Sequence, residues 1–176
     1  MTPEKIKLKN ISLSKLNKSE TMRELENNNF TESKYICIVN VHSMISADTS
    51  LNLRDSINTA WIALADGKPL SVLANILGCK PKISRVTGPD LMHEVLKISA
   101  GYSWSHYFYG STQKVLDDMK NTIEHRYEEI ECEYFSPPFE KMNELDIKNH
   151  IYSINALGPN FIWIGLGAPK QEIFMK

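Results

Sequence analysis

The sequence predicts an α/β fold in which a mostly parallel sheet carries helices on both faces. Short apolar runs that suit buried strands alternate with longer segments whose apolar residues recur at helical spacing. Strands separated by helices of about ten or more residues pair in parallel through right-handed crossovers. Turn residues follow several strands, at the edge where ligands of parallel sheets bind. The arrangement is of the Rossmann-like type.

Length, composition and charge restrict the class of protein. A chain of 176 residues, 42% hydrophobic and 23% charged, has the size and composition of one globular domain. A net charge of −1 provides no basic field, so no nucleic-acid partner is predicted. The 3 cysteines fit neither a disulfide framework nor CxxC metal spacing, which suits a reducing cytosol. No apolar run reaches the roughly 18 residues that span a bilayer, and no signal-peptide core is present.

The N-terminal segment differs in composition from the rest of the chain. It is rich in Lys, Asn, Ser and Glu, with a weak alternating stretch around Ile6 and Leu8 and a short helix predicted over Ser19–Asn28. We therefore expect residues 1–34 to be a peripheral polar segment and residues 35–176 to form the α/β domain. No repeat or internal linker divides the second part.

The first strand and helix of the domain come next. Tyr35–Val41 predicts a buried strand with Asn40 at its carboxyl end. A helical repeat then predicts one helix that begins at Asp48 and stops at Asp66-Gly67. Lys68–Gly78 is either a short helix or a strand fragment, and helix is favoured. The repeat consists of Leu53, Ile57, Ala60, Trp61 and Leu64.

Further strand and helix signals fill the second half of the chain. Pro89 and Asp90 mark a helix start. His106–Tyr109 predicts an aromatic strand, followed by Gly110 as the turn and Ser111 as the N-cap of the next helix. The later signals are the alternating Ile130, Cys132 and Tyr134, the block at Ser136-Pro137-Pro138, and the helical Ile147, Ile151, Ile154 and Leu157, ended by Gly158.

The last segment, Phe161–Glu172, reads FIWIGLGAPKQE and predicts a buried strand, a tight turn and a helix start with Pro169 at its first position. Its glycines and free N–H groups make it a candidate phosphate site, although an ordinary strand-to-helix connection explains the same spacing. Lys170 occupies the third-glycine position of GxGxxG, so an NAD-dependent oxidoreductase is a weak alternative. The sequence contains no Walker, HExxH or GxSxG motif, and no metal site is predicted.

Polar residues at strand ends and helix starts can converge along one edge of a parallel sheet. Asp66 would supply a carboxylate next to a flexible glycine, and Arg85 and Lys170 would supply cations. Each residue also has an ordinary explanation as a turn, dipole partner or loop charge. The set is Asn40, Asp66, Arg85, Asp90, Ser111 and Gln171.

Several short motifs follow one another along the chain: Asn40, Ala65-Asp66-Gly67, Arg85–Leu91, Tyr109-Gly110, Ser136–Phe139 and Gly165–Glu172. In order and spacing they resemble the WecG/TagA/CpsF family of bacterial glycosyltransferases. The resemblance extends from about residue 35 to the C-terminus, and its paired RVTGxDL and GLGxPKQE motifs are specific.

The resemblance implies an inverting transfer of N-acetylmannosamine, or a related sugar such as glucuronate, from a UDP-sugar to an undecaprenyl-diphosphate-linked saccharide. It implies no metal or other cofactor, and a cytoplasmic location at the inner face of the plasma membrane. Asp66 matches the proposed general base, Asn40 and Arg85 match pocket residues, and Gln171 matches the glutamine of the PKQE turn. The other expected substrate-binding residues are Gly88, Asp90, Gly110, Ser111, Gly165, Gly167 and Lys170.

The chain also departs from the family pattern. Ile38 stands where many members have threonine, and members continue past PKQE into a segment that helps to form the site and to reach the membrane. We therefore expect a shortened chain that is weakly active or inactive, with membrane contact through the missing part. The alternative function is a nucleotide-sugar-binding domain without catalysis. The sequence leaves the donor sugar, the acceptor and homo-oligomerisation undetermined.

Overall fold

The computed structural model describes residues 2–29, 31–127, 129–138 and 144–176. The strands are β1 (Lys5–Leu8), β2 (Ile11–Ser14), β3 (Ile36–Val39), β4 (Ile62–Ala65), β5 (His106–Gly110), β6 (Cys132–Phe135) and β7 (Phe161–Gly165). The helices are α1 (Lys18–Glu26), α2 (Val41–Thr49), α3 (Leu51–Thr59), α4 (Lys68–Ile76), α5 (Gly88–Tyr102), α6 (Gln113–Arg126), α7 (Glu144–Leu157) and α8 (Lys170–Met175). They form a first unit of Met1–Val95 with Gly167–Lys176 and a second unit of Leu96–Leu166.

The first unit is built on the parallel pair of β3 and β4, in which Val39 lies opposite Ala65. β1 and β2 form an antiparallel hairpin. The side chain of Ser14, at the end of β2, accepts a hydrogen bond of 3.0 Å from the backbone N–H of Ala63 in β4. This bond holds the hairpin beside the parallel pair.

The hairpin belongs to the core, so the prediction of a peripheral segment is wrong for its apolar residues. Leu8, Ile11 and Leu13 are 1%, 0% and 0% exposed and pack in one cluster with the buried side chains of β3. Burying each such side chain stabilises the fold by roughly 1.5–3 kcal/mol. The composition of the segment does not reveal these strands, because each has only four residues and the rest of the segment is polar. The predicted division of the chain after residue 34 stays a prediction.

The single helix predicted from Asp48 onward is wrong. Ser50 separates α2 from α3: it is the C-cap of α2 and the N-cap of α3, and its Oγ accepts a hydrogen bond from the backbone N–H of Leu53 at 3.3 Å. Ile62–Ala65 is buried at every position and forms β4. A run without a polar side fits a helix and a buried strand equally well, and pairing with β3 decides between them. Asp66 therefore follows a strand instead of ending a helix.

The second unit contains a parallel sheet in the order β6-β5-β7. His106 of the central strand lies opposite Cys132 on one side and Phe161 on the other. α6 connects β5 to β6, and α7 lies between β6 and β7. Every described strand after the N-terminal hairpin pairs in parallel, which confirms the predicted mostly parallel α/β class.

Most of the predicted helices are confirmed. α1 begins close to the predicted Ser19. Lys68–Gly78, for which the sequence allowed a helix or a strand fragment, contains the helix α4. α5 begins at Gly88, next to the predicted Pro89, and α7 ends before Gly158. Within the described ranges, no helix combines the length and the apolar character needed to cross a membrane.

Candidate active site

Three of the predicted residues meet at the carboxyl ends of β3 and β4 in the first unit. Asn40 follows β3, and Asp66 follows β4. The backbone N–H of Asp66 donates to the carbonyl oxygen of the last residue of β3 at 2.7 Å. The backbone N–H of Val86 donates to the carbonyl oxygen of Ala65 at 2.9 Å, which brings the preceding Arg85 to the same edge.

Asp66 and Arg85 form an ion pair. The Nε of Arg85 lies 3.5 Å from Oδ1 of Asp66, and the side chains are 55% and 31% exposed respectively. A pair this exposed contributes about 1 kcal/mol or less to stability. Its main effect is to orient the carboxylate, which solvent and a ligand can still reach.

Asn40 is the N-cap of α2. Its Oδ1 accepts a hydrogen bond from the backbone N–H of Ser43 at 2.8 Å. An N-cap of this kind typically stabilises a helix by about 1 kcal/mol. The cap uses Oδ1, so the two N–H groups of the same amide are the donors that a ligand at this edge can use.

The residue after Asp66 begins α4. Gly67 has φ +104°, a conformation that favours glycine, and it caps α4 without a side-chain hydrogen bond. Pro69 in the first turn has no N–H of its own. The remaining N–H groups of that turn are thus uncapped by side chains and lie next to the Asp66 carboxylate in the chain.

Gly88 and Asp90 lie in the first turn of α5. The side chain of Thr87 is buried and its Oγ1 accepts a hydrogen bond from the backbone N–H of Asp90 at 3.1 Å. Thr87 is not among the site residues predicted from the sequence, although threonine just before a helix is a common cap signal. Within the described residues, no hydrogen bond or ion pair joins Gly88, Asp90 or Lys170 to Asp66.

In the PKQE turn of the first unit, the Gln171 side chain forms hydrogen bonds with Gly167 and with Glu172. Its Oε1 accepts from the backbone N–H of Gly167 at 3.1 Å, and its Nε2 donates to Oε1 of Glu172 at 3.2 Å. Lys170 is exposed at the first position of α8. Pro169 was predicted at that first position and instead lies just before it, as the N-cap.

Glu172, at the end of the PKQE turn, is not among the predicted site residues. It is 1% exposed, and among the described residues its Oε2 has no hydrogen-bond partner. Burial, with a smaller contribution from the Glu172 carboxylate, raises the pKa of the Cys37 thiol in β3 to about 12. The one available signal was its place as the last letter of the PKQE motif.

The second unit holds Gly110, Ser111 and Gly165 at the carboxyl ends of β5 and β7. Gly110 lies opposite Gly165, and the backbone N–H of Ser111 donates to the Gly165 carbonyl oxygen at 3.0 Å. The predicted N-cap role of Ser111 is wrong, because Thr112 caps α6 with an Oγ1 that accepts from the backbone N–H of Val115 at 3.4 Å. Ser111 has φ +63° and completes the turn instead.

The predicted site residues therefore divide between the two units. The structure joins Asn40, Asp66 and Arg85 at one edge and Gly167 and Gln171 at one turn, all in the first unit. Convergence of the whole set on one site stays a prediction. Within the described part of the chain, no group of three or more His, Cys, Asp or Glu residues is arranged to hold a metal ion.

Comparison with known proteins adds the decisive observation. The sequence model described as "Glycosyl transferase WecG/TagA/CpsF family" matches residues 6–176. The chain belongs to the WecG/TagA/CpsF family. The family match includes all of the N-terminal hairpin except Lys5, whereas the resemblance in the sequence motifs begins at about residue 35. All the predicted site residues of this WecG/TagA/CpsF chain fall within the match.

Relatives of this WecG/TagA/CpsF chain occur in Staphylococcus aureus. It is 26% identical over 153 residues to proteins named N-acetylglucosaminyldiphosphoundecaprenol N-acetyl-beta-D-mannosaminyltransferase from strains NCTC 8325 / PS 47, COL and MRSA252. The alignments cover 87% of this chain and 58% of each relative. The chain thus spans less than two thirds of the length of these relatives.

Proposed function

We propose that this chain belongs to an inverting glycosyltransferase that moves N-acetylmannosamine, or a related sugar, from a UDP-sugar to an undecaprenyl-diphosphate-linked saccharide. The observation that carries the proposal is the Asp66 carboxylate, partly exposed beside Arg85 at the carboxyl ends of a parallel strand pair. The names of the S. aureus relatives support the choice of sugar and acceptor, since they state an N-acetyl-beta-D-mannosaminyl transfer and an N-acetylglucosaminyldiphosphoundecaprenol.

Asp66 acts as the general base in the proposed reaction. A hydroxyl oxygen of the acceptor attacks the anomeric carbon of the donor from the face opposite the diphosphate, and its proton passes to Asp66. The bond between the anomeric carbon and the diphosphate oxygen breaks, and its electron pair leaves with UDP. One well-placed carboxylate suffices for this chemistry.

The leaving diphosphate needs positive charge or N–H donors. Arg85 and Lys170 are exposed cations of the first unit, and the start of α4 offers uncapped backbone N–H groups. Arg85 has two roles in this proposal: it orients Asp66 in the free protein and meets the diphosphate in the complex. Asn40 and Gln171 bind the donor through their amides.

The reaction is proposed to need no metal or other cofactor and to take place at the cytoplasmic face of the bacterial plasma membrane. A lipid-linked acceptor is the reason for that location, because its undecaprenyl chain stays in the bilayer. Gly88, Asp90, Gly110, Ser111, Gly165 and Gly167 remain predicted substrate-binding residues. Transfer that continues unchanged in EDTA would support metal independence, and loss of transfer in EDTA would contradict it.

Replacing Asp66 by Asn tests the catalytic assignment. The Asp66→Asn variant keeps the shape of the side chain but cannot take the proton, so transfer should fall by roughly 100-fold or more. UDP affinity should stay close to wild type, because the amide replaces a group that the nucleotide does not need. Transfer is measured with UDP-N-acetylmannosamine and a lipid-linked acceptor analogue, and UDP binding by titration calorimetry.

Asp48→Asn is a matched control for this experiment. Asp48 is also an ion-paired carboxylate, with Lys9, and its side chain is 26% exposed against 31% for Asp66. The control should transfer the sugar as well as wild type. Near-normal transfer by Asp66→Asn would exclude Asp66 as the base. UDP binding by wild type without any transfer would favour the alternative, a nucleotide-sugar-binding domain without catalysis.

A further inference from the structure

One face of α4 carries large apolar side chains in solvent. Val72, Leu73, Ile76 and Leu77 are 52%, 39%, 75% and 59% exposed, whereas Leu70 in the first turn is 1% exposed. Val72 and Ile76 are four residues apart, as are Leu73 and Leu77, so the exposed residues share one side of the helix. A contiguous exposed patch of this kind usually marks an interaction surface.

The chain around this face is basic. Between Gly67 and Pro89 there are four cations, Lys68, Lys80, Lys82 and Arg85, and no acidic residue. The protein as a whole has a net charge of −1, so this local excess of positive charge is not a property of the composition. Arg85 is paired with Asp66, and Lys68 lies at the start of α4, which leaves Lys80 and Lys82 as the cations beside the exposed apolar face.

The loop that carries two of these lysines folds back onto the helix. Asn75 of α4 donates from Nδ2 to the carbonyl oxygen of Ile83 at 2.9 Å and accepts from the Ile83 backbone N–H at 3.0 Å. The exposed Lys80 and Lys82 are thereby held beside the last turns of α4. Glu4, whose charge helps to raise the pKa of the Cys79 thiol, is ion-paired with Lys15.

We infer that this α4 surface, defined as Val72, Leu73, Ile76 and Leu77 with Lys80 and Lys82, docks onto an anionic lipid bilayer. An apolar helix face rimmed by lysines matches the boundary between acyl chains and anionic headgroups. A symmetric contact between two copies would bring the lysines of both chains into one interface, where like charges repel. The bilayer satisfies the apolar and the cationic parts of the surface together.

The position of the surface fits a lipid-linked acceptor. α4 begins directly after Asp66-Gly67 and has 9 residues, so it is about 14 Å long. A bilayer that covers this helix lies within about one helix length of the Asp66 carboxylate. This link to catalysis rests on the proposed function, whereas docking to the bilayer does not.

Vesicle flotation of the full chain tests the inference. The protein should float with vesicles made of equal parts phosphatidylglycerol and phosphatidylcholine, bind far less to pure phosphatidylcholine, and dissociate as salt is raised. Ile76→Glu places a charge in the apolar face and should weaken binding at least about tenfold. Lys80→Glu with Lys82→Glu reverses the charge of the rim and should have a similar effect.

Leu51→Glu is the matched control for the apolar face. Leu51 begins α3 and is 70% exposed, so its substitution adds the same charge outside the α4 surface and should leave binding unchanged. Absence of flotation, or equal binding of Ile76→Glu and wild type, would overturn the inference. Self-association that Ile76→Glu abolishes, without vesicle binding, would overturn it in favour of a second copy. Transfer to a short-chain acceptor free in solution tests the proposed function separately, because that reaction needs no vesicle.

Discussion

The carboxyl group of Glu172 is 1% exposed, and within the described structure one of its oxygens has no hydrogen-bond partner. Its other oxygen accepts from Nε2 of Gln171 at 3.2 Å. A buried polar atom without a partner lowers stability by about 1–3 kcal/mol, and a charged one by more. Glu172 thus lowers the stability of the fold at the PKQE turn, which is part of the proposed binding site.

We therefore expect Glu172→Gln to stabilise the protein. The amide keeps an oxygen for Gln171 and replaces the unpartnered, ionisable oxygen by a neutral NH2 group, so the free energy of unfolding should rise by about 1 kcal/mol in urea denaturation. Glu32→Gln changes an exposed loop residue in the same way and should shift stability by about 0.5 kcal/mol or less. A less stable Glu172→Gln variant would contradict this account. If the variant is more stable but binds UDP more weakly, the destabilising carboxyl group of Glu172 has a role in binding the donor.

Among the predicted site residues, a position at a turn was easier to predict than the contact that its side chain makes. Asp66, Asn40 and Gln171 stand at turns whose residue types are visible in the sequence. That Arg85 pairs with Asp66, 19 positions earlier in the chain, depends on how the segment after α4 returns to the end of β4. The burial of Glu172 depends likewise on the packing of α8, which no local pattern contains.

At the scale of elements, the edge shared by β5 and β7 depends on two glycines. Gly110 has φ +123°, and a Cβ added there would clash with the Gly165 backbone, coming within 3.0 Å of its Cα and closer still to its carbonyl group. The two strands also pair at these positions. A side chain at Gly110 would therefore separate the ends of the strands and distort the Ser111 turn.

Gly110→Ala should lower the free energy of unfolding by about 3 kcal/mol or more, because it combines backbone strain with overpacking. Gly101→Ala provides the comparison within the same unit. Apart from its chain neighbours and the adjacent backbone of α5, no atom of the described residues lies within 4 Å of a Cβ at Gly101, so alanine there should be neutral or stabilising by up to about 1 kcal/mol. Thermal and urea unfolding measure both changes, and equal stabilities of the two variants would rule out the steric explanation.

The spacing of apolar residues is sufficient to predict most of the helices but not the buried strand β4. α1, α5, α6 and α7 were predicted because apolar residues recur on one side and cap or breaker residues stand at the ends. Ile62–Ala65 has no polar side, so the sequence pattern includes it in a helix although it forms β4. The strand has no polar side because it is buried on both faces of the sheet, and such a strand shows no alternation of apolar and polar residues.

At the scale of the whole molecule, stability should depend on pH through His106. Its ring is 1% exposed; Nδ1 accepts a hydrogen bond from Nε1 of Trp163 at 3.1 Å, and Nε2 lies 2.8 Å from Oγ of Ser99. Burial lowers the pKa of His106 from 6.5 to about 4. Protonation of Nδ1 would also break the bond from Trp163. The neutral ring is thus the form that the folded protein stabilises.

The sign of the pH dependence follows from this shift. The unfolded chain binds the proton at a higher pH than the folded one, so the His106 contribution is complete above about pH 6.5 and decreases as the pH falls towards 4. The total loss should be about 3 kcal/mol. Urea unfolding followed by tryptophan fluorescence between pH 7.5 and 4.5 measures it. His106→Phe should be less stable at neutral pH but should lose less stability on acidification; an equal pH dependence in both proteins would contradict the role of His106.

By itself, the sequence determined the fold class, the order of most elements and the family. These properties depend on local patterns, namely the apolar period, the turn and cap residues, and the order of short motifs. Local patterns also place Asp66, Asn40 and Gln171 at turns.

Only the tertiary structure decided which segments touch. It placed the polar-looking N-terminal hairpin in the core, made Ile62–Ala65 a strand, paired Asp66 with Arg85 and buried Glu172. It also left the apolar face of α4 exposed beside a basic loop. The first four of these results depend on contacts between residues that are distant in the sequence, and such contacts leave no periodic signal in the chain.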